Sequence, residues 1–86
     1  MVTEIAELVK VGAVFEPGEP PLPKWFVWRG RRYPVERVTF HWKVRDGQVA
    51  LHHFAVTSGA NLYELRYNTV TLEWMLMVVS PMEQGA

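Results

Sequence analysis

The 86-residue chain contains no cysteine. That absence excludes a disulfide framework, a thiolate zinc site, an iron–sulfur cluster and a cysteine nucleophile together. Aspartate is almost as scarce, Asp46 being the only one. There is no glycine-rich phosphate loop and no nucleophile elbow. Glu64 and Glu73 are expected to face each other on the outer side of a hairpin, relieved by Arg66 on the diagonal rather than acting as an acid–base pair. This inventory predicts no enzymatic activity, no cofactor and no metal. His41, His52 and His53 lie near one another across a hairpin, and His41 and His52 can share a face. A zinc site asks for three or four ligands, and the nearest carboxylate in sequence, Asp46, is occupied in a turn.

Long hydrophobic runs are missing as well. The longest uninterrupted stretch, around Met75 to Val79, falls far short of the roughly 20 residues needed to span a bilayer. The start, Met1-Val2-Thr3-Glu4-Ile5-Ala6-Glu7-Leu8, carries carboxylates where a leader peptide needs basic and then apolar residues. A cytoplasmic protein with no membrane partner is the resulting expectation. Net charge is absent too, since nine lysines and arginines balance nine aspartates and glutamates. Taken over the whole chain, that balance argues against a uniformly basic nucleic-acid binder.

What the chain does have is apolar residues, 49% of the total, arranged with a period of two. Such alternation predicts an all-β fold. A chain this short buries only about 60% of the surface of its unfolded form, so residues 1–86 are expected to make a single small β domain with one core. Val9, Val11, Ala13 and Phe15 alternate as a first strand, and Lys24 to Trp28 reads as a second. Residues 1–8 are ambiguous, because Thr3 can cap a short helix that Gly12 then limits. The prolines between Glu16 and Pro23 cannot donate to a ladder, which makes that segment a stiff extended loop.

Arg31 to Arg45 reads as one long bent strand, kinked at Glu36-Arg37. It turns at Asp46-Gly47 into a partner strand, and a bulge at His52-His53 brings Phe40 against Phe54 and Val38 against Val56, which keeps Val38, Phe40, Trp42 and Val44 all facing inward. A tight turn at Asn68-Thr69 sets Tyr67 opposite Val70, Leu65 opposite Leu72 and Tyr63 opposite Trp74. Residues 80–86 look like a frayed tail. Six strands in this order predict an antiparallel meander, either a strongly bent sheet or a small SH3-like barrel.

Charge placement says more than the total. Residues 1–23 carry −3, residues 24–46 carry +5 and residues 47–86 carry −2. The basic centre holds Arg29, Arg31, Arg32, Arg37, Lys43 and Arg45, the last three expected in one row on the outer face of the bent strand, with Trp25 and Trp28 close by. Phosphates need cations and unpaired bases need flat rings, so these eight residues are the candidate surface for single-stranded nucleic acid. A second candidate surface is apolar: Met75, Met77 and Val79 lie opposite the core side of the last strand, with Leu62 near them. Such a strip is either covered by the amino-terminal segment or serves as the interface of a homodimer or adaptor.

The run Trp28-Arg29-Gly30-Arg31-Arg32-Tyr33-Pro34-Val35, followed by Trp42, Gly59, Tyr63-Glu64-Leu65 and Trp74, resembles a family of small uncharacterised bacterial domains of unknown function. Its marks are a Trp-x-Gly-Arg-x-Tyr-x-Val motif and a later tryptophan. The resemblance implies a single small β domain. Some members of that family are joined to proteins related to Y-family DNA polymerases, which implies an association with nucleic acid. It assigns no binding residue.

Overall fold

A computed structural model describes residues 2–82 of the chain, and these form seven β-strands. They are β1 (Thr3–Val14), β2 (Leu22–Trp28), β3 (Arg31–Pro34), β4 (Arg37–Asp46), β5 (Val49–Ser58), β6 (Asn61–Asn68) and β7 (Trp74–Pro81). All pairings are antiparallel, in one sheet of order β3-β2-β1-β7-β6-β5-β4. No helix among the described residues is long and apolar enough to cross a membrane.

The all-β expectation holds, and the six-stranded meander and the closed barrel do not. The stretch from Arg31 to Arg45 is two strands, not one, and the first strand joins the last. β3 and β4, neighbours in the chain, therefore become the two edges of the sheet. Only Val35 and Glu36 separate them. The Val35 amide bonds to the Lys24 carbonyl on β2, and the next amide, Glu36, bonds to Thr57 on β5. The chain thus leaves one ladder and joins the opposite end of the sheet within one residue, which forces the sheet to curl. Closure stops at that corner because β3 has four residues and ends on Pro34, which has no amide to donate.

The concave side carries the core. Phe26, Phe54, Val56, Tyr63, Leu65, Tyr67, Trp74 and Leu76 form its buried cluster, with Ile5, Val9, Val11, Trp28, Tyr33, Val38 and Val79 packed around it. The ambiguous residues 1–8 are strand from Thr3 onward. A bulge at Ala6, whose φ of 54° is left-handed, sits between Glu4 and Glu7. Ser80 and Pro81 belong to β7, and the Met82 amide bonds to Ala60, so the expected fraying does not begin there. Residues 83–86 lie outside the described residues.

Two hairpins, β6–β7 and β4–β5, differ in register from the alternation-based expectation. The β6–β7 connection is longer than a two-residue turn: Tyr67 pairs with Trp74 and Leu65 with Leu76. Asn68 organises this loop, its Oδ1 accepting from the amides of Val70 (2.8 Å) and Thr71 (3.0 Å). Val70 and Leu72 are consequently exposed, and Glu73 lies in the loop rather than opposite Glu64. In the β4–β5 hairpin the turn falls on Gly47-Gln48, with Asp46 paired to Val49. The irregularity there lies between Val38 and Phe40, not at His52-His53. Thr39 is the extra residue, its Oγ1 donating to the Ala55 carbonyl at 3.0 Å.

One inserted residue reverses the side on which every later residue points. Val38 faces the core opposite Val56. Beyond the bulge His41, Lys43 and Arg45 take the inner side, while Phe40, Trp42 and Val44 turn outward. Phe40 is 64% exposed.

Candidate nucleic-acid interface

The β2–β3 hairpin concentrates the cations. Its turn is Arg29-Gly30, both with positive φ (52° and 76°), the conformation that a two-residue hairpin loop requires. This tight turn fixes Trp28 opposite Arg31, Val27 opposite Arg32, Phe26 opposite Tyr33 and Trp25 opposite Pro34. Phe26 and Tyr33 face the core, so Trp25, Val27 and Arg32 face outward.

On that outer side each cation meets a ring. The Arg32 guanidinium lies 4.6 Å from the centre of the Trp25 ring, and the Lys10 ammonium of β1 lies 5.9 Å from it. Trp25 itself rests over Gly12, the residue opposite it on β1; a Cβ there would overlap the indole. Glycine therefore makes the seat for this ring. Lys10 was absent from the sequence-derived candidates, because only strand pairing brings β1 beside β2.

The remaining candidates do not converge on this surface. Arg29 is neutralised within the fold: its Nη2 lies 2.8 Å from Glu7 Oε2, and its guanidinium stacks 4.7 Å from the Trp28 ring. Trp28 Nε1 donates to the other Glu7 oxygen at 3.0 Å. These contacts hold the Glu7 carboxyl below its ordinary range, through the Arg29 bond first and the Trp28 bond second, and raise Arg29 correspondingly. Trp28 packs against the core and Arg31 lies 5.9 Å from the Tyr33 ring, so neither shares the Trp25 side. Arg37 faces outward at the start of β4, opposite Thr57. Lys43 and Arg45 sit on the inner side near the tip of the β4–β5 hairpin, where Lys43 to Gln48 are all exposed. At about 3.3 Å per residue, Arg45 is about 26 Å from Arg37 along the strand. The expectation of a single row running from Arg37 to Arg45 on the outer face is corrected by the Thr39 bulge.

The apolar strip is also split. Met75 and Leu62 face outward, whereas Val79 packs on the core opposite Tyr63 and Met77 is the extra residue of a β7 bulge. The amino-terminal strand lies beside β7 in the sheet, with Leu8 paired to Met75, and so does not cover this face. Arg66 partly does, its Nη2 reaching Met75 Sδ at 3.4 Å.

The three histidines separate in the same way. His41 Nε2 and His52 Nδ1 are 2.9 Å apart on the inner side, both beside Phe54. Burial, followed by the charges of His41 and Lys43, pushes the His52 imidazole down. His53 is on the other face, stacked on Trp42 at 5.1 Å, with its Nδ1 3.3 Å from Glu64 Oε2. Among the described residues no three His, Asp or Glu side chains are grouped so as to hold a metal ion.

A cleft of about 640 Å³ opens between the proline loop and the inner side of β4 and β5, lined by Val14, Pro20, Leu22, Val38, His41 and Phe54 among others. Pro21 and Pro23 are buried, so the loop docks on its own domain. Phe15 adds an edge contact with Tyr67, ring centres 5.9 Å apart.

Sequence reasoning missed Phe40 and Trp42 as surface residues because alternation assigned both to the core. No signal in the pattern marks Thr39 as the bulge.

No curated protein and no solved structure matches the chain. A family model covers nearly all of the described sheet, from β1 into β7, and on that match over residues 1–79 the chain belongs to the family described as a domain of unknown function, DUF6504.

Proposed function

We propose that this domain is a non-enzymatic binding module for single-stranded nucleic acid, with its primary contact on the outer face of β1, β2 and β3. The observation that carries the reading is the seating of Trp25 over Gly12 with Arg32 and Lys10 beside its ring. With the indole seated on Gly12 and two cations over its ring, the site offers phosphate partners and, in the Arg32 guanidinium plane, a surface on which a base stacks as it does on an aromatic ring. Arg37 extends the positive field on the outer side, while Arg31 faces the inner side and Arg29 is held by Glu7. Neither Arg32 nor Lys10 has a carboxylate within ion-pair distance among the described residues.

The test is fluorescence anisotropy of a labelled oligothymidylate of about 15 nucleotides, within the site sizes such small β domains cover. Three to four phosphate contacts give a log–log salt slope of about −2 to −3, at ~0.7 per contact, and Arg32→Ala should reduce its magnitude by about 0.7. Absence of binding at low salt ends the proposal. Self-association through Leu62, Met75 and Met77 is the rival, favoured only by exposed Leu8 beside Met75. Sedimentation of the wild type and of Met77→Glu distinguishes the two.

A further inference from the structure

Phe40 and Trp42 stand out as two aromatic rings on the outer face of β4, Phe40 exposed and Trp42 half-buried. Phe40 is 64% exposed on the outer face of an edge strand, and its ring centre lies 5.6 Å from that of Trp42 at an interplanar angle of 38°. Trp42 is fixed from below: it stacks nearly parallel on His53 (17°), which Glu64 holds in turn. A core does not need this arrangement, and a solvated face would carry polar side chains instead. A ring held rigidly by a neighbour loses little freedom when a second flat group stacks on it.

The surroundings select an anion. Arg37 occupies the same outer face, three residues before Phe40, or about 10 Å along the strand. Arg66 lies opposite His53, two strands from Trp42 and again about 10 Å away. Lys43 and Arg45 stand on the inner side of the same edge strand, on which Asp46 is the only carboxylate. None of Arg37, Lys43 and Arg45 has a carboxylate partner among the described residues. A second copy pairing along β4 would set these cations against one another, the device by which edge strands repel their own kind. Among the described residues this face of β4 to β6 also carries Glu64, engaged by His53, and Asp46, four residues beyond Trp42 at the hairpin tip.

We infer that Phe40 and Trp42 form a base-stacking platform for single-stranded nucleic acid, continuous with the Trp25–Arg32 site around the corner where β3 passes into β4. This inference rests on the nucleic-acid reading above and adds a second, independent contact to it. The strand would run from Arg32 past Arg37, which faces outward immediately after the corner, to the two rings. Stacking is sequence-tolerant, so the platform takes any single strand and reads bases only by their flat faces.

The experiment compares an oligothymidylate with an abasic strand of the same length and charge, bound to the wild type, Phe40→Ala, Trp42→Ala, Trp42→Phe and Arg32→Ala, each checked by circular dichroism. The expected result is that Phe40→Ala and Trp42→Ala each weaken oligothymidylate binding about tenfold, while abasic binding and the salt slope stay unchanged and Trp42→Phe retains most of the affinity. Oligothymidylate binding that is untouched by Phe40→Ala and Trp42→Ala, yet weakened by Arg32→Ala, overturns the platform and leaves the primary site standing. Equal weakening of both strands by the ring variants also overturns it, because stacking acts on bases alone. No binding of either strand to the wild type overturns both.

Discussion

Replacing Phe40 with serine and, separately, Phe54 with alanine probes the strand phase that decides which surface this domain presents. Alternation treats the two phenylalanines alike and sets them face to face. In the folded chain Phe40 pairs with Ala55 on the outside, and Phe54 is 1% exposed within the core. The Phe54 ring contacts Trp74 at 5.6 Å and His41 at 4.9 Å, so its removal leaves a cavity that those groups only partly fill. Phenylalanine-to-alanine changes at such sites cost about 3–5 kcal/mol. Full burial of a phenylalanine is worth about 1.5–3 kcal/mol, and Phe40 buries roughly a third of its surface, so Phe40→Ser should cost about 0.5–1 kcal/mol. At ~4–8 °C per kcal/mol for a domain of this size, the Tm falls by at least about 12 °C in one variant and by a few degrees in the other. Urea unfolding monitored by circular dichroism measures both. A loss for Phe40→Ser as large as that for Phe54→Ala would put Phe40 in the core and refute the bulge at Thr39.

Asn68→Ala should destabilise the domain by about 1–2 kcal/mol, since Oδ1 satisfies two loop amides that then depend on water; chemical denaturation reads the change. Gly12→Ala should cost about 1–3 kcal/mol and displace the Trp25 indole, visible as a shift in tryptophan emission and as weaker oligonucleotide binding. The depressed His52 imidazole makes stability depend on pH: the unfolded state holds the proton more readily, so the His52 contribution is complete above its ordinary value of 6.5 and is lost as pH falls from there through the lowered folded value. In thermal melts across pH 4–8 the wild type should lose more Tm than His52→Gln as pH falls below 6.5; equal losses in the two proteins would assign the change to another group.

The sequence by itself determined that this chain is built of antiparallel strands, because a period of two is a local property that each segment carries alone. It also determined the partition of charge, with most of the basic residues between Lys24 and Arg45, but not which of Trp25 and Trp28 turns outward. Parity survived a shift of register at the β6–β7 hairpin: Trp74 and Leu76 are in the core as alternation requires, although their partners are Tyr67 and Leu65 and the loop is four residues longer. An even displacement of pairing keeps every side chain on its face, so the pattern is blind to it.

What only the tertiary structure decided is where the period is interrupted and which ends of the chain meet. A single extra residue at Thr39 exchanges the faces of everything from Phe40 to Asp46, turning two aromatic rings outward and taking Lys43 and Arg45 from the row with Arg37. The interruption is chosen by how β4 lies against β5 across the curled sheet, and nothing local to Thr39 encodes it. The pairing of β1 with β7 is likewise a contact between distant segments. It opens the sheet between β3 and β4, while the pairing of β1 with β2 sets Gly12 beneath Trp25 and Lys10 beside its ring, making a site from residues that the chain keeps apart.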